Sequence, residues 1–327
     1  MVWLIPRLMP GDPIGYLVGR ISTGSGAAGG ASGGTSGGTT GESQFYQLLY
    51  IYWVKKFGLD QPLHVQYIVF LKNVFSFSFG PSITYYPTEA LILVLSVLPW
   101  SLMLLVPSII IGWLLGNYIG AQAAYKKGIF DKVIYPFALF VSNTPYYWFA
   151  LVLIGIFAGS LRIFPTQGTY SVNLSPSLTP TFIIDFLYHY TLPFISLLIP
   201  QIGRVALGMR SLTLYELGSE YMEYSESLGF TEKKLVKYAS MNAILPQYTG
   251  LPMMLGSAFA GQVVSEVVFS YKGIGMLLYS SIFGQDYNVI QCAFIFIVLV
   301  VLVGNFIMDI IYAYVDPRIR LAYREEG

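Results

Sequence analysis

The sequence predicts an all-α membrane protein, a bundle of helices that crosses a lipid bilayer several times. Of its 327 residues, 55% are hydrophobic and only 11% are charged, whereas soluble domains carry roughly 25% charged residues. Five stretches between charged residues are long enough to cross a bilayer, which takes about 20 residues with few or no charges. Because a backbone inside hydrocarbon must satisfy its own hydrogen bonds, we expect these stretches to be helices.

Charge and cysteine content narrow the classes of function. The net charge at pH 7 is +1, which gives no electrostatic basis for binding nucleic acid. Cys292 is the single cysteine of the sequence, so the chain can form neither an intramolecular disulfide nor a cysteine-built metal cluster. The sequence therefore disfavours a soluble enzyme, a DNA-binding protein and a disulfide scaffold. We expect the chain itself to bind no metal or cofactor.

Residues 1–10 are predicted to be the outer end of a first transmembrane helix whose beginning is missing from this sequence. Met1–Met9 is apolar apart from Arg7, but nine helical residues cover only about 14 Å, roughly half of a bilayer core. No basic region or cleavage site indicates a signal peptide. A short anchor in the membrane interface is the alternative.

Residues 11–98 are predicted to form an extracellular segment. Within it, residues 21–41 consist of nine Gly, four Ser, four Thr, three Ala and one Ile, which predicts a disordered coil. This tract matches a dinucleotide fingerprint and a nucleophile elbow by chance, because both motifs require a preceding strand and a following helix. Apolar residues at helical spacing over Gln44–Phe57 then predict an amphipathic helix on the outer surface.

A transmembrane domain with five complete spans is predicted over residues 99–312, followed by a tail over residues 313–327. The first span lies in Ala90–Tyr125, where Pro99 is expected to separate an interfacial helix from a span that begins near Trp100. The other four are predicted over Val133–Leu161, Phe186–Gly203, Tyr238–Ser265 and Tyr287–Met308.

The distribution of lysine and arginine predicts which helix ends face the cytoplasm, because basic residues accumulate in cytoplasmic connections. One side has only Arg162 and Lys272 in its short connections. The opposite, basic side carries Lys126, Lys127, Lys132, Arg210, Lys233, Lys234, Lys237, Arg318, Arg320 and Arg324. We therefore predict a multi-pass protein of the cell membrane with a cytoplasmic C-terminus.

A cytoplasmic loop over about residues 212–246 has the composition of a docking element. Its sequence predicts a short helix, a stop at Gly229 and a second helix whose N-terminus Thr231 caps. Glu216–Lys237 holds eight of the chain's 35 charged residues, so charge is dense here and sparse elsewhere. A helix–glycine–helix loop of this kind can insert into a partner protein. A merely solvated loop is the alternative.

This loop resembles the coupling loop, called the EAA motif, of ABC-importer permeases. Gly229 matches the central glycine, and Glu223 matches the acidic residue. Tyr224 and Ser225 stand where the motif has two alanines, which is a departure. The peptide-transporting branch departs in a similar way, with an earlier acidic residue and tyrosine and an Asn-Ala-x-x-Pro ending. Those two features correspond here to Glu220-Tyr221 and to Asn242-Ala243 with Pro246.

Further segments resemble the same branch, in the same order, along nearly the whole chain. The departures are the missing start of the first helix, the glycine-rich insert, and Tyr271-Lys272 where a proline usually precedes the glycine. The matching segments are Pro10–Pro13, Gly58–Leu63, Asp131, Glu266–Phe269, Gly273–Gly275, Asp286-Tyr287, Asn305, Asp309, Tyr312 and Asp316–Arg320.

The resemblance implies one transmembrane subunit of a dipeptide, oligopeptide or nickel-type ABC importer with the type I permease fold. It also implies a second homologous permease, two cytoplasmic ATPase subunits that hold ATP and Mg, and an extracellular substrate-binding protein. The sequence contains no Gly-x-x-x-x-Gly-Lys-Ser/Thr phosphate loop, so we expect ATP hydrolysis in the partners and no catalytic residue here. The coupling residues that the resemblance assigns are Glu220, Tyr221, Glu223, Ser225, Gly229, Asn242 and Pro246.

Three glycines are candidates for helix packing, and Glu266 and Phe269 are candidates for the translocation pathway. Gly112, Gly116 and Gly120 form two G-x-x-x-G repeats, which predict close helix packing within the subunit or against a partner. Glu266 and Phe269 are candidates for a gate or pathway contact, because ionisable groups in a membrane are costly and often functional. A paired or interfacial structural carboxylate is the alternative for Glu266.

Two prolines and two arginines near the spans have structural interpretations. Pro145 and Pro252 are expected to kink their helices, with neighbouring groups satisfying the freed carbonyls. Arg204 and Arg210 are expected to extend their charged ends to the cytoplasmic interface.

Several alternatives stay open on the sequence alone. A stand-alone secondary transporter or channel would predict internal repeats and charges at mid-membrane, and we find no convincing repeat. An intramembrane protease lacks a credible Ser/His pair. Peptide is the favoured cargo, with oligosaccharide or a nickel chelate as alternatives, because the same permease branch serves all three. The aromatic content of 16% suits stacking on sugar rings but also suits membrane interfaces.

Overall fold

In a computed structural model, the described residues are 2–8, 11–23, 40–125 and 128–315, and they form helices joined by loops. Within these ranges the only extended pairing is an isolated β-bridge between Pro81 and Glu89. The all-α prediction is therefore confirmed. The core of the glycine-rich tract, Pro10, Lys126, Lys127 and the segment from Asp316 onward lie outside the described residues, so the predictions that fall on them stay predictions.

The chain divides into two compact units. The first comprises Met1–Leu98 with Leu277–Val298, and the second comprises Pro99–Met276 with Leu299–Gly327. The helices before residue 90 are α1 (Leu4–Leu8), α2 (Pro13–Thr23), α3 (Thr40–Lys56) and α4 (Leu63–Phe75). A helix is confirmed where one was predicted over Gln44–Phe57, as α3, but its apolar residues do not gather on one face, so the predicted amphipathic character is wrong. The predicted coil over residues 21–41 is wrong at both edges, because α2 continues to Thr23 and α3 begins at Thr40.

Polar contacts hold the helices and loops of the first unit together. Arg7 of α1 donates to Gln66 Oε1 of α4 through Nε at 3.0 Å and Nη2 at 2.8 Å. The buried Asp286 carboxylate accepts a hydrogen bond from the Ser82 hydroxyl and another from the Thr84 backbone N–H at 2.9 Å. Such charge-assisted bonds fix a loop that has little regular structure of its own. That α1 is the end of a longer helix stays a prediction.

Within the described residues, four helices are long and apolar enough to cross a membrane: α5 (Ala90–Tyr125), α8 (Pro180–Leu217), α10 (Glu232–Val268) and α12 (Tyr287–Val315). The predicted division at Pro99 is wrong, because α5 continues through both Pro99 and Pro107. Likewise, α10 continues through Pro246 and Pro252. The predicted tail begins too early, since α12 extends to Val315.

The fifth predicted span is bent. It consists of α6 (Ile129–Asn143), followed by α7 (Tyr146–Leu153) and a π-helical turn over Ile154–Ser160, and the two parts meet at an angle of 103°. The break lies at Thr144, whose backbone is extended (φ −83°, ψ 130°), because a following proline disfavours helical geometry. The kink predicted at Pro145 is therefore confirmed, although Val133–Leu161 is not one straight helix.

Side chains beside the break donate hydrogen bonds to carbonyl groups in the last turn of α6, so the prediction that neighbours satisfy the carbonyl freed by Pro145 itself stays a prediction. The Thr144 hydroxyl donates to the Phe140 carbonyl at 2.7 Å, and Asn143 Nδ2 donates to the Leu139 carbonyl at 2.8 Å. In hydrocarbon an unpaired carbonyl costs several kcal/mol, so these local bonds allow a sharp bend inside the membrane.

The glycines of α5 pack against α8. A Cβ atom at Gly112 would lie 2.7 Å from Gln201 Cγ, and one at Gly116 would lie 2.6 Å from Val205 Cβ. A Cβ atom at Gly120 would overlap the Ala206 carbonyl oxygen. Only glycine permits this approach, so the predicted close packing occurs within the subunit.

Arg210 differs from the expectation that it only extends to the membrane surface. Its Nε and Nη2 atoms each lie 2.6 Å from one carboxylate oxygen of Asp131, in the first turn of α6. The guanidinium also lies over the Tyr135 ring, 4.6 Å from its centroid. A bidentate pair of this kind ties α6 to α8. Arg204 lies over the Tyr146 ring at 5.6 Å.

Candidate functional site

The loop singled out in the sequence has the predicted helix–glycine–helix structure. α8 ends at Leu217, α9 spans Glu220–Ser227, and α10 begins at Glu232. Gly229 ends α9 with φ +80°, in the left-handed region that glycine adopts without strain. Two backbone hydrogen bonds complete a Schellman motif. The Gly229 N–H donates to the Glu226 carbonyl at 2.9 Å, and the Phe230 N–H donates to the Ser225 carbonyl at 3.2 Å.

The turn at Gly229 is set by backbone conformation rather than by crowding. A Cβ atom at Gly229 would meet no atom of the chain within 4 Å, so the space beyond it is open. Thr231 occupies the N-cap position of α10, as predicted, but its side chain makes no capping hydrogen bond. The predicted hydroxyl cap is therefore wrong, and the position alone marks the helix start.

A small apolar cluster fastens α9 to its neighbours. Met222 of α9 is 3% exposed and packs with Leu235 and Ala239 of α10, and Leu217 at the end of α8 packs against this group. Burial of a side chain of this size contributes about 1.5–3 kcal/mol. The short helix is thus attached to both long helices that it connects.

Tyr221 adds a polar connection between the same three helices. Its hydroxyl donates to the carboxylate of Glu216, near the end of α8, and accepts a hydrogen bond from Asn242 Nδ2 of α10 at 2.9 Å. Partial burial, and next the hydrogen bond to Glu216, raise the pKa of the Tyr221 phenol. The phenol therefore stays protonated at neutral pH and can serve as the donor that this bridge requires.

Of the other predicted loop residues, three lie on α9 and one lies far along α10. Glu220 and Glu223 are exposed in the first turn of α9, where negative charge favours the helix dipole. The Ser225 hydroxyl donates to the Tyr221 carbonyl within α9 at 2.7 Å. Pro246 lies 14 residues into α10, about 21 Å from its start, and so is not part of the loop surface.

Sequence reasoning missed several residues that build this surface. Tyr224 and Leu228 are 67% and 59% exposed, and with Tyr215 and Phe230 they give an acidic loop an exposed apolar side. Exposed apolar patches next to polar residues are typical of protein–protein contacts. Glu216 and Met222 were also missed as residues that support the loop. Met222 is the one aliphatic side chain of the short, polar helix α9, and this was the one signal in the sequence that could have indicated its burial.

The second candidate, Glu266, lies in a buried polar cluster. Its carboxylate is inaccessible and accepts hydrogen bonds from the Ser101 hydroxyl, Gln262 Nε2 and the Gly275 backbone N–H, each at 2.7 Å. The Ser101 oxygen in turn accepts a bond from the Ile274 N–H at 2.8 Å. The carboxylate therefore joins α5, α10 and the start of α11 (Ile274–Phe283).

This cluster explains two glycines of the sequence. A Cβ atom at Gly273 would overlap the Glu266 carboxylate, and one at Gly275 would lie 2.7 Å from the Val263 backbone. Phe269 is 2% exposed and packs in an aromatic core with Tyr271 and Phe186. Both side chains are buried in this structure, which favours the structural carboxylate, and a role of either residue in the pathway stays a prediction.

The fold and the loop together define a class: a multi-pass helical membrane protein with a compact, exposed loop between two spanning helices. Residues 108–321 match the family model described as binding-protein-dependent transport system inner membrane component. The chain belongs to this family. It is a permease subunit of an ABC importer, which works with ATPase and substrate-binding proteins.

Individual relatives extend the match over most of the chain. An oligopeptide transport system permease protein of Bacillus subtilis is 34% identical over 270 residues, which cover 81% of this chain and 83% of the relative. A di/tripeptide transport system permease protein of Pseudomonas aeruginosa is 27% identical over 337 residues, covering 98% of this chain and 93% of the relative. A dipeptide transport system permease protein of Bacillus subtilis is 30% identical over 267 residues, with 81% and 82% covered.

The buried cluster generates a prediction about stability. In Glu266→Gln, the amide NH2 would face groups that now donate to a carboxylate, so we expect the free energy of unfolding to fall by about 2–3 kcal/mol. Thermal unfolding of the purified protein measures this loss, and Glu226→Gln, a matched change at an exposed position, should leave stability unchanged. A Glu266→Gln protein that unfolds like the wild type but transports poorly would assign the carboxylate to the pathway instead.

Proposed function

We propose that this chain forms half of the translocation pathway of a peptide importer, and that α9 is the element through which ATPase subunits drive it. The cargo assignment is supported by relatives whose names specify oligopeptide, di/tripeptide and dipeptide transport. The observation that carries the coupling assignment is the attachment of α9 to α8 and α10 through the two hydrogen bonds of the Tyr221 hydroxyl.

The proposed assembly contains a second, homologous permease, two cytoplasmic ATPase subunits and an extracellular substrate-binding protein. ATP and Mg belong to the ATPase subunits, while this chain supplies no cofactor site. The C-terminus is cytoplasmic in this proposal, because the lysines at the start of α10, Lys233, Lys234 and Lys237, follow the positive-inside distribution.

The geometry of the loop explains how movement would reach the membrane helices. ATP binding closes the ATPase subunits, and the acidic, aromatic surface of α9 moves with them. Because the apolar cluster around Met222 and the Tyr221 bridge join α9 to both α8 and α10, displacement of α9 tilts the long helices instead of bending the loop. Tilting of rigid helices exchanges inward for outward access. The free energy transmitted is limited by how firmly the loop is held.

The cargo assignment predicts ATP-dependent uptake of short peptides. The importer, reconstituted in proteoliposomes with its ATPases and cognate binding protein, should accumulate a labelled tripeptide. Mass spectrometry of the ligand that copurifies with the binding protein should identify a peptide. If an oligosaccharide or a nickel chelate is found and supports uptake instead, the cargo is wrong while the permease assignment stands.

Removal of the Tyr221 hydroxyl should weaken coupling without unfolding the chain. In Tyr221→Phe the bridge between Glu216 and Asn242 is lost, and we expect the peptide transported per ATP hydrolysed to fall roughly five-fold, which corresponds to about 1 kcal/mol. Tyr224→Phe is the matched control, since that hydroxyl has no hydrogen-bond partner within the described residues. An unchanged ratio in Tyr221→Phe would contradict a role for the bridge in transmission.

A side chain at Gly229 should block docking of the ATPase. Gly229→Asp places a side chain in open space at φ +80°, which costs about 1–2 kcal/mol in strain and should leave membrane insertion intact but abolish coupled uptake. Gly58→Asp is the control, because Gly58 has φ +64° and equally open surroundings outside the loop. Normal substrate-stimulated ATP hydrolysis in the assembled Gly229→Asp importer would rule out the coupling assignment.

A further inference from the structure

A cleft of about 640 Å³ lies between α5 and α10, next to the loop that carries α9. Its walls are mostly carbon, and Leu114, Tyr118 and Met241 on its rim are 55%, 66% and 58% exposed. The cleft is therefore open along the outside of the helix pair and is not a sealed cavity. Sequence analysis gave no reason to expect it.

Two contacts define the ends of the cleft. At one end the Tyr125 hydroxyl donates to Glu232 Oε2 at 3.3 Å, and at the other the rings of Trp113 and Tyr248 lie 4.8 Å apart. The wall from Trp113 to Tyr125 is 12 residues long, or about 18 Å at 1.5 Å per residue. This length is close to that of one leaflet of a bilayer whose hydrocarbon core is about 30 Å thick.

Among the described residues, the Tyr125 end of the cleft has two lysines and one carboxylate, Glu232, and so carries net positive charge. Lys233 and Lys237 line it and are both exposed, and residues four apart share one face of a helix, where like charges repel. Within the described residues, neither lysine has a carboxylate at salt-bridge distance. The neighbouring Lys234 does not line the cleft and instead lies near the Phe230 ring at 5.6 Å.

We propose that this cleft binds an anionic phospholipid, with the phosphate between Lys233 and Lys237 and one acyl chain along the apolar wall toward Trp113. Basic residues at the mouth of an apolar groove between membrane helices are suited to such headgroups. A zwitterionic peptide fits less well, because the carboxylate at this end, Glu232, is bonded to Tyr125 and is not among the residues that line the cleft. The inference depends on the membrane location of the chain and not on its cargo.

The test compares lysines inside and outside the cleft. The importer is purified with its partner subunits from bilayers of phosphatidylcholine with and without phosphatidylglycerol, and the phosphatidylglycerol that it retains is counted by native mass spectrometry. Each cleft lysine should contribute about five-fold in affinity, so Lys233→Gln/Lys237→Gln should lose one retained phosphatidylglycerol. Lys234→Gln, with the same change of charge on an adjacent residue, should retain it.

Three results would overturn the proposal. Equal retention by the wild type and Lys233→Gln/Lys237→Gln would show that the cleft holds no anionic lipid, as when a partner subunit covers it. Equal loss in Lys234→Gln would show only a general effect of surface charge. Displacement of the lipid by added tripeptide at transport concentrations would assign the cleft to the cargo. Uptake by the Lys233→Gln/Lys237→Gln importer is measured alongside, so a failed lipid test stays distinct from a failed permease assignment.

Discussion

The absence of water from the hydrocarbon core is the constraint on which this structure depends. Every backbone polar group in that region needs a partner within the protein, which accounts for four long, continuous helices, even where prolines lie within them. The same constraint governs the few charges. Asp131 and Arg210 satisfy each other in a bidentate pair, and Glu266 is surrounded by three donors. Among the described residues, charged side chains without such partners lie near the helix ends and in the loop around α9.

Close packing by glycine and attachment by side-chain bonds have different roles in the second unit. The glycines on one face of α5 bring its backbone against α8, so these two helices form a dense pair. The loop helix α9, by contrast, is held by one apolar cluster and one phenol bridge. Dense packing suits parts that move together, and the few specific contacts of α9 are the ones on which the proposed coupling depends.

Much of this architecture could be predicted because the determining interactions are local. Hydrophobic length indicated the spans, four-residue spacing indicated the glycine face, and Gly229 indicated the end of α9. The errors arose where tertiary context decides. Pro99 leaves α5 intact, whereas Pro145 accompanies a break of 103°, and composition does not distinguish the two. Ser101, one of the partners of Glu266, and Asp131, the partner of Arg210, lie 165 and 79 residues away in sequence, so no short-range pattern could have identified these two contacts. The Tyr221 bridge likewise depends on Asn242, 21 residues away on the next long helix.

The bend at Pro145 has a consequence for how the chain enters the bilayer. α6 has 15 residues, and α7 with its π-helical turn also has 15, so each part is about 22 Å long, short of a 30 Å core. Neither part alone satisfies the length requirement for stable insertion. Packing of α6 against α8, where Gly203 lets the Ala138 backbone approach, therefore adds contacts that hold this bent segment in place. We expect membrane integration of the region to be cooperative, with α6 and α7 held stably once α8 has joined them.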